Sequence, residues 1–241
     1  MIFNGVDYRR IYFIDIETVG CSSSYDTMTP ELQKLWKIKA ANLTKSEDSD
    51  AARLFEDRSG IYSEFGKIIC ISLGRVFMKD SDMHFSVKCF ANRDEGELLK
   101  KFSDFLLSFD SKSVVFCGHN IKEFDIPYIC RRMLVNGFSL PDCLNFSRKK
   151  PWEVETIDTM EMWSFGDKKA YTSLNLLTTI FSITSSKADI DGSQVHNVYY
   201  IENNLEKIAK YCSRDVVATA HLFFRLSGKD FINESNIEFA D

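Results

Sequence analysis

Residues 11–17, Ile11-Tyr12-Phe13-Ile14-Asp15-Ile16-Glu17, decide how the rest of the chain is read. The run 11–16 is apolar on both alternating faces apart from Asp15, the pattern of a central strand covered on both sides. Residues two apart in a strand point to one face, so Asp15 and Glu17 leave the same side of an otherwise apolar segment. Two like charges beside a core are costly unless something positive lies between them. Three arrangements would relieve the pair. The strand could end at Asp15 and leave both groups solvated in a loop, or the two could share a proton. A divalent cation could also bind both, since hard oxygen ligands suit Mg²⁺ or Mn²⁺.

Working outward, residues 67–78 and 83–90 are expected to form two strands joined by a turn at 79–82. Residues 94–109 carry a helical apolar stripe, 113–117 form a short strand ending at Gly118, and a helix starts at about Ile126 with Pro127 in its first turn. A fifth strand is expected over 154–158, a short helix over 173–181, and a long terminal helix from Asn204 to about Leu226. This order gives an α/β chain with a mixed five-stranded sheet, the first three strands antiparallel and the later ones parallel, flanked by helices. The polar, charged stretch 21–63 stands apart as an insertion after the first strand, partly helical and expected to be mobile. One domain over 1–241 with one insertion is the expected organisation.

Forty-four per cent of the 241 residues are apolar, enough for a sizeable core, and ordinary globular usage excludes disorder of the whole chain. Thirty-five acidic against 30 basic side chains give a formal charge of −5, which argues against holding DNA by a global positive field. No apolar run approaches a membrane span, so no membrane partner is expected. The N-terminal residues lack a signal-peptide pattern, and the seven scattered cysteines suggest neither a disulfide framework nor a zinc site. A reducing, cytoplasmic setting is expected.

Two further clusters place carboxylates near apolar segments. In 118–127, Asp125 lies two residues before Pro127, where it could be an ordinary N-cap, but it also stands at the C-terminal end of a strand, where open α/β sheets bind ligands. On the terminal helix, Tyr211 and Asp215 lie one turn apart on the flank of the apolar stripe Leu205, Ile208, Cys212, Val216, Ala220 and Phe223. They could be a boundary Tyr beside a surface Asp, or two side chains aimed at one site.

Taken in order, D-I-E-T at 15–18, N-I-K-E-F-D at 120–125 and Y-C-S-R-D at 211–215 resemble the three motifs of the DEDD exonuclease superfamily, in its tyrosine branch. The histidine branch would carry His five residues before the last Asp, where this chain has Lys210. The segments EFGKIICISLG, SKADIDGSQV and YCSRDVVAT look most like stand-alone bacterial relatives of the family B DNA polymerase proofreading exonuclease. The likeness spans roughly residues 10 to 227 and implies a ribonuclease H-like fold.

The resemblance also implies a site. Asp15, Glu17, Asp125 and Asp215 would hold two divalent ions, Mg²⁺ or Mn²⁺, as cofactors. Tyr211 would orient the attacking water, because an unperturbed Tyr is a poor base at pH 7. Thr18, Asn120, Phe124 and Lys187 are candidate contacts to the terminal nucleotide. Phe124, Trp163, Phe165 and Tyr171 could stack on unpaired bases. Arg131, Arg132, Arg148, Lys149 and Lys150 could form a groove guiding a single strand.

The implied activity is release of nucleoside 5′-monophosphates from the 3′ end of single-stranded nucleic acid, DNA favoured. An exoribonuclease using the same site and a non-catalytic nucleic-acid-binding adaptor are the alternatives. No polymerase domain follows in this sequence, so a polymerase or repair protein would be met in trans.

Overall fold

The computed structural model describes residues 2–3, 6–46, 50–108, 114–147, 149–150, 153–167, 171–184 and 190–240. Six strands, β1 (Ile11–Gly20), β2 (Gly66–Lys79), β3 (Asp82–Ala91), β4 (Val115–Gly118), β5 (Thr156–Asp158) and β6 (Ile237–Ala240), form one sheet in the order β5-β4-β1-β2-β3-β6. Strands β1, β2 and β3 make an antiparallel meander. On one side β4 and β5 add parallel to β1, and on the other β6 adds parallel to β3. The sheet therefore has six strands where five were expected. The extra one is four residues long and lies at the sheet edge, with Ile237 half-buried and the other three exposed, so it carries no alternating apolar signal.

The β2–β3 turn closes on Lys79 and Asp82, with Asp80 and Ser81 both at positive φ (51° and 70°), as a two-residue hairpin with the sheet's twist requires. Eight helices are described: α1 (Pro30–Thr44), α2 (Ala51–Arg58), α3 (Glu95–Leu107), α4 (Asp125–Val135), α5 (Thr159–Ser164), α6 (Leu174–Ile180), α7 (Val195–Tyr200) and α8 (Leu205–Leu226). None is long and apolar enough to cross a membrane.

The alternation along β1 divides its side chains between two cores. Tyr12, Ile14 and Ile16 pack under α3 and α4 with Leu98, Phe102 and Ile129, while Ile11 and Phe13 pack under α8 with Val216, Ala220 and Phe223. Each fully buried large side chain contributes about 1.5–3 kcal/mol relative to exposure. Helix α8 comes so close to β2 that a Cβ at Gly74 would lie 2.6 Å from Val216 Cγ1 and 2.3 Å from Phe85 Cζ.

Helix α4 is locked by a buried ion pair. Arg132 meets Glu95 at 2.5 Å and also donates to Ser63 O, while Glu95 accepts the Ile68 N–H. Arg132 is thereby committed to the interior and corrects its place in the expected strand-guiding groove. Arg148 of that set lies outside the described residues.

The described residues of the insertion form a small core of their own. Trp36 and Ala40 of α1 and Phe55 of α2 are fully buried with Tyr25, Met28 and Phe65, and the Trp36 indole N–H donates to Ala51 O at 2.7 Å. Its far end is fixed to the sheet, because Gly60 O accepts from Thr18 Oγ1 at 2.7 Å and from Tyr128 Oη at 2.8 Å.

Candidate active site

Strand β1 runs through Asp15 and Glu17 to Gly20, so the pair is not left in a solvated loop. Both continue the alternation of Ile11 and Phe13 and so face α8. Beside them the β1–β2 register slips: Glu17 is opposite Cys70 but Thr18 is opposite Ile68, leaving Ile69 as the extra residue of a bulge. Bulges of this kind bend the strand and re-aim its side chains.

Helix α8 brings Tyr211 and Asp215 to the same place. Between them, the Cys212 S–H donates to Asp15 O at 3.4 Å and ties helix to strand. Asp15, Glu17 and Cys212 place possible ligand atoms within 4.8 Å of one another. Burial pushes the Cys212 thiol well up, and a protonated soft sulfur suits a hard divalent ion poorly, so the usable donors are carboxylates.

Asp125 arrives from the other side. It is the first residue of α4 and not its cap; the cap position is Phe124, which makes no side-chain cap bond. Pairing of β1 with β4 stops at Phe13 and Cys117, and beyond that point Asp125 Oδ1 accepts the Ile16 N–H at 3.1 Å. A buried carboxylate thus continues a ladder that the short β4 cannot.

The electrostatics follow from this crowding. Burial, then Glu17, Asp125 and Asp215, hold the Asp15 carboxyl well above the usual carboxylate range. Burial, then Asp215 and Asp125, do the same to Glu17. Asp125 is pushed up to about 7 by burial, against the lowering effect of its own N–H and that of Ile16. Among the described residues, Asp15, Glu17 and Asp125 make no ion pair. Asp15 Oδ2 is sealed from solvent with no hydrogen-bond partner, although the residue as a whole is partly exposed. An orphaned carboxylate oxygen among like charges is what a hard cation would satisfy, so the donor set fits divalent metal. Tyr211 is hydrogen-bonded to Asp215, and burial followed by Asp215, Glu17 and Asp15 drives its pKa upward.

Glu17 on one side and Tyr211 with Asp215 on the other open on two adjoining clefts that share Gly192. One, of about 250 Å³, is lined by Glu17, Thr18 and Phe124 and by Arg58, Gly60 and Ile61 of the insertion. The other, of about 330 Å³, is lined by Tyr171, Ser173, Asp191, Tyr211 and Asp215. A larger cavity of about 470 Å³ lies behind α4, against Ile126, Leu134 and Val154, and none of the four carboxylates lines it.

Of the other expected contacts, Thr18 spends its hydroxyl on Gly60 O, and Asn120 holds φ +66° with a buried Oδ1 lacking a partner. Tyr171 and Phe165 are exposed, whereas Trp163 packs against Phe181 in a small core with Leu177 and Leu222. Lys187 lies outside the described residues. Sequence reasoning missed Gly60, Tyr128, Asp158 and Gly192. Only Asp158, a carboxylate at a strand end before a helix, carried a signal that could have found it.

A family model described as "Predicted 3'-5' exonuclease related to the exonuclease domain of PolB" matches residues 61–233, a stretch that includes Asp125, Tyr211 and Asp215. The chain belongs to this exonuclease family. Its fold is similar to a solved structure, that of the family B DNA polymerase from the hyperthermophilic archaeon Pyrobaculum calidifontis, with TM-score 0.57 and 16 % identity over 90 % of this chain. The chain spans 24 % of that polymerase chain. No curated protein sequence matches it. The ribonuclease H-like α/β fold expected for the family is the one seen, and the match begins at Ile61, so it does not cover Asp15 and Glu17.

Proposed function

We propose that the chain is a metal-dependent 3′→5′ exonuclease that hydrolyses single-stranded DNA from its 3′ end and releases nucleoside 5′-monophosphates. The observation that carries this is the meeting of Asp15, Glu17, Asp125 and Asp215, with one sealed Asp15 oxygen unpartnered. These four residues would hold two divalent ions, Mg²⁺ or Mn²⁺, which when bound supply a nucleophile at neutral pH and offset charge on the departing 3′ oxygen. Tyr211, kept protonated and hydrogen-bonded to Asp215, would orient the attacking water through its hydroxyl oxygen. Thr18 and Phe124 line the half of the cleft assigned to the terminal nucleotide. The preference for DNA rests on the family's kinship with a DNA polymerase domain.

The test offers 5′-labelled single-stranded DNA, single-stranded RNA and duplex DNA in Mg²⁺ or Mn²⁺, with EDTA and Asp15→Ala as controls. The expected result is a ladder shortening from the 3′ end of single-stranded DNA, absent in both controls. Degradation of RNA alone would reassign the substrate, and binding without cleavage of any substrate would end the enzyme proposal.

A further inference from the structure

The loop carrying Asp125 is held from beneath by a buried carboxylate for which the proposed hydrolysis has no use. Asp158 ends β5 opposite Gly118 and is 3 % exposed. Its Oδ1 accepts the N–H groups of Asn120 and Met160, each at 2.9 Å, and its Oδ2 accepts the Lys122 N–H at 3.3 Å. One side chain therefore caps α5 and closes the turn that leaves β4.

That turn is not one the backbone adopts freely. Asn120 sits in the left-handed region at φ +66°, which disfavours an L-residue, Asn less than most, and persists where its surroundings fix it. From Asn120 the chain winds directly into α4: the Phe124 N–H donates to Asn120 O at 3.0 Å and the Ile126 N–H to Ile121 O at 3.1 Å. Asp125 lies between those two donors and accepts from Ile16 on β1. A continuous set of bonds thus runs from Asp158, through the 120–122 turn and Asp125, to the strand bearing Asp15 and Glu17. Gly118 at the start of the turn leaves no slack, because a Cβ there would fall 1.9 Å from Ile121 Cγ2 and 2.8 Å from Ile14 O.

We infer that Asp158 is the positioning residue for Asp125, fixing the 120–122 backbone so that the Asp125 carboxyl meets β1 where the divalent-cation site is assembled. It touches neither substrate nor reacting atoms and acts through the loop. The inference rests on the proposal that the carboxylates bind divalent metal. Partners one step removed from metal ligands affect metal affinity or activity by about 10–100-fold when changed. Asn at 158 would keep an acceptor for Asn120 and Met160 but would turn an amide NH₂ toward the Lys122 N–H, so its effect should be partial.

The experiment compares wild type, Asp158→Asn and Asp158→Ala. It measures Mn²⁺ binding by calorimetry without substrate, thermal unfolding, and kcat and KM on single-stranded DNA. The expected result for Asp158→Ala is Mn²⁺ affinity and kcat each reduced about 10-fold or more, with KM for the oligonucleotide changed less than about twofold. Asp158→Asn should recover most of both. If Asp158→Ala is folded and binds Mn²⁺ as wild type does, the inference is overturned. Should Asp158→Ala fail to fold, Asp158→Asn carries the test: a few-fold weaker Mn²⁺ binding supports the inference, and wild-type binding reduces Asp158 to a structural cap and overturns it. Wild type that binds no Mn²⁺ would instead bring down the metal-site proposal and this inference with it.

Discussion

The Tyr211 hydroxyl stands against Asp215, with Glu17 and Asp15 close behind it, and burial plus these charges make it harder to ionise than a phenol in water. A group that keeps its proton at neutral pH is poorly suited to act as the base, so in the proposed reaction its contribution would be a hydrogen-bonding hydroxyl that orients the water. Tyr211→Phe removes that hydroxyl while leaving all four carboxylates in place. The variant should lose about 10–100-fold in kcat under single-turnover conditions while calorimetry shows Mn²⁺ affinity within about twofold of wild type. Loss of cation binding in Tyr211→Phe would mean that the hydroxyl helps to build the metal site and does not serve the water. Arg132 shows the opposite outcome for a residue singled out on charge. Its guanidinium is turned inward onto Glu95 and Ser63 O and is largely buried, so it is not presented to a nucleic-acid backbone.

At the scale of elements, the insertion behaves as part of the site. The end of α2 and the turn after it line the same cleft as Glu17 and Thr18, and Gly60 O is held from both β1 and α4. Its own stability centres on Trp36, packed edge-on against Phe55 and Phe65. Trp36→Ala should destabilise the fold by about 3–5 kcal/mol in thermal or denaturant unfolding. Where the variant remains folded, KM for single-stranded DNA should rise with little change in Mn²⁺ affinity, since the displaced wall holds no carboxylate of the metal site. An unchanged KM would detach the insertion from substrate binding. Such a link was not legible in the sequence, because Thr18 and Gly60 are far apart along the chain and Gly60 belongs to no motif. What was legible had local periodicity: the apolar runs of β1 to β4 and the stripes of α3, α4 and α8 follow the expected order closely. Edge strand β6, three-quarters exposed, had no such signal. The three carboxylate motifs could be read because charge in an apolar strand or on a helix flank is anomalous in itself. The N-cap alternative for Asp125 could be decided only in three dimensions, by the Ile16 N–H that claims its oxygen.

For the molecule as a whole, the formal charge of −5 includes four carboxylates gathered at one place, and two divalent ions there would bring the chain close to neutrality. With the proposed metal site, this charge distribution would make stability depend jointly on pH and metal. Burial pushes the Asp125 carboxyl up to about 7 from an ordinary value of 3.8, and Asp15 and Glu17 are shifted in the same direction, chiefly by burial. A carboxyl whose folded pKa is raised binds its proton more tightly in the folded state than in the unfolded chain. Its contribution is therefore fully present below the unfolded value and is lost as pH rises through the folded one. Metal-free protein in EDTA should accordingly lose stability between pH 5 and pH 8, by on the order of 10 °C in Tm for a chain of this size. If the carboxylates hold Mg²⁺ or Mn²⁺ as proposed, the ion would bind only the deprotonated set and stabilise the folded state by mass action, so the rise in Tm on adding metal should be small at pH 5 and large at pH 8. Asp125→Asn removes one of the titrating groups and should flatten the metal-free profile while weakening the response to metal. Differential scanning calorimetry at fixed ionic strength across this range measures both effects. A metal-induced shift equal at pH 5 and pH 8, or a metal-free Tm that climbs with pH, would show that the carboxylates are not held together as buried, competing groups.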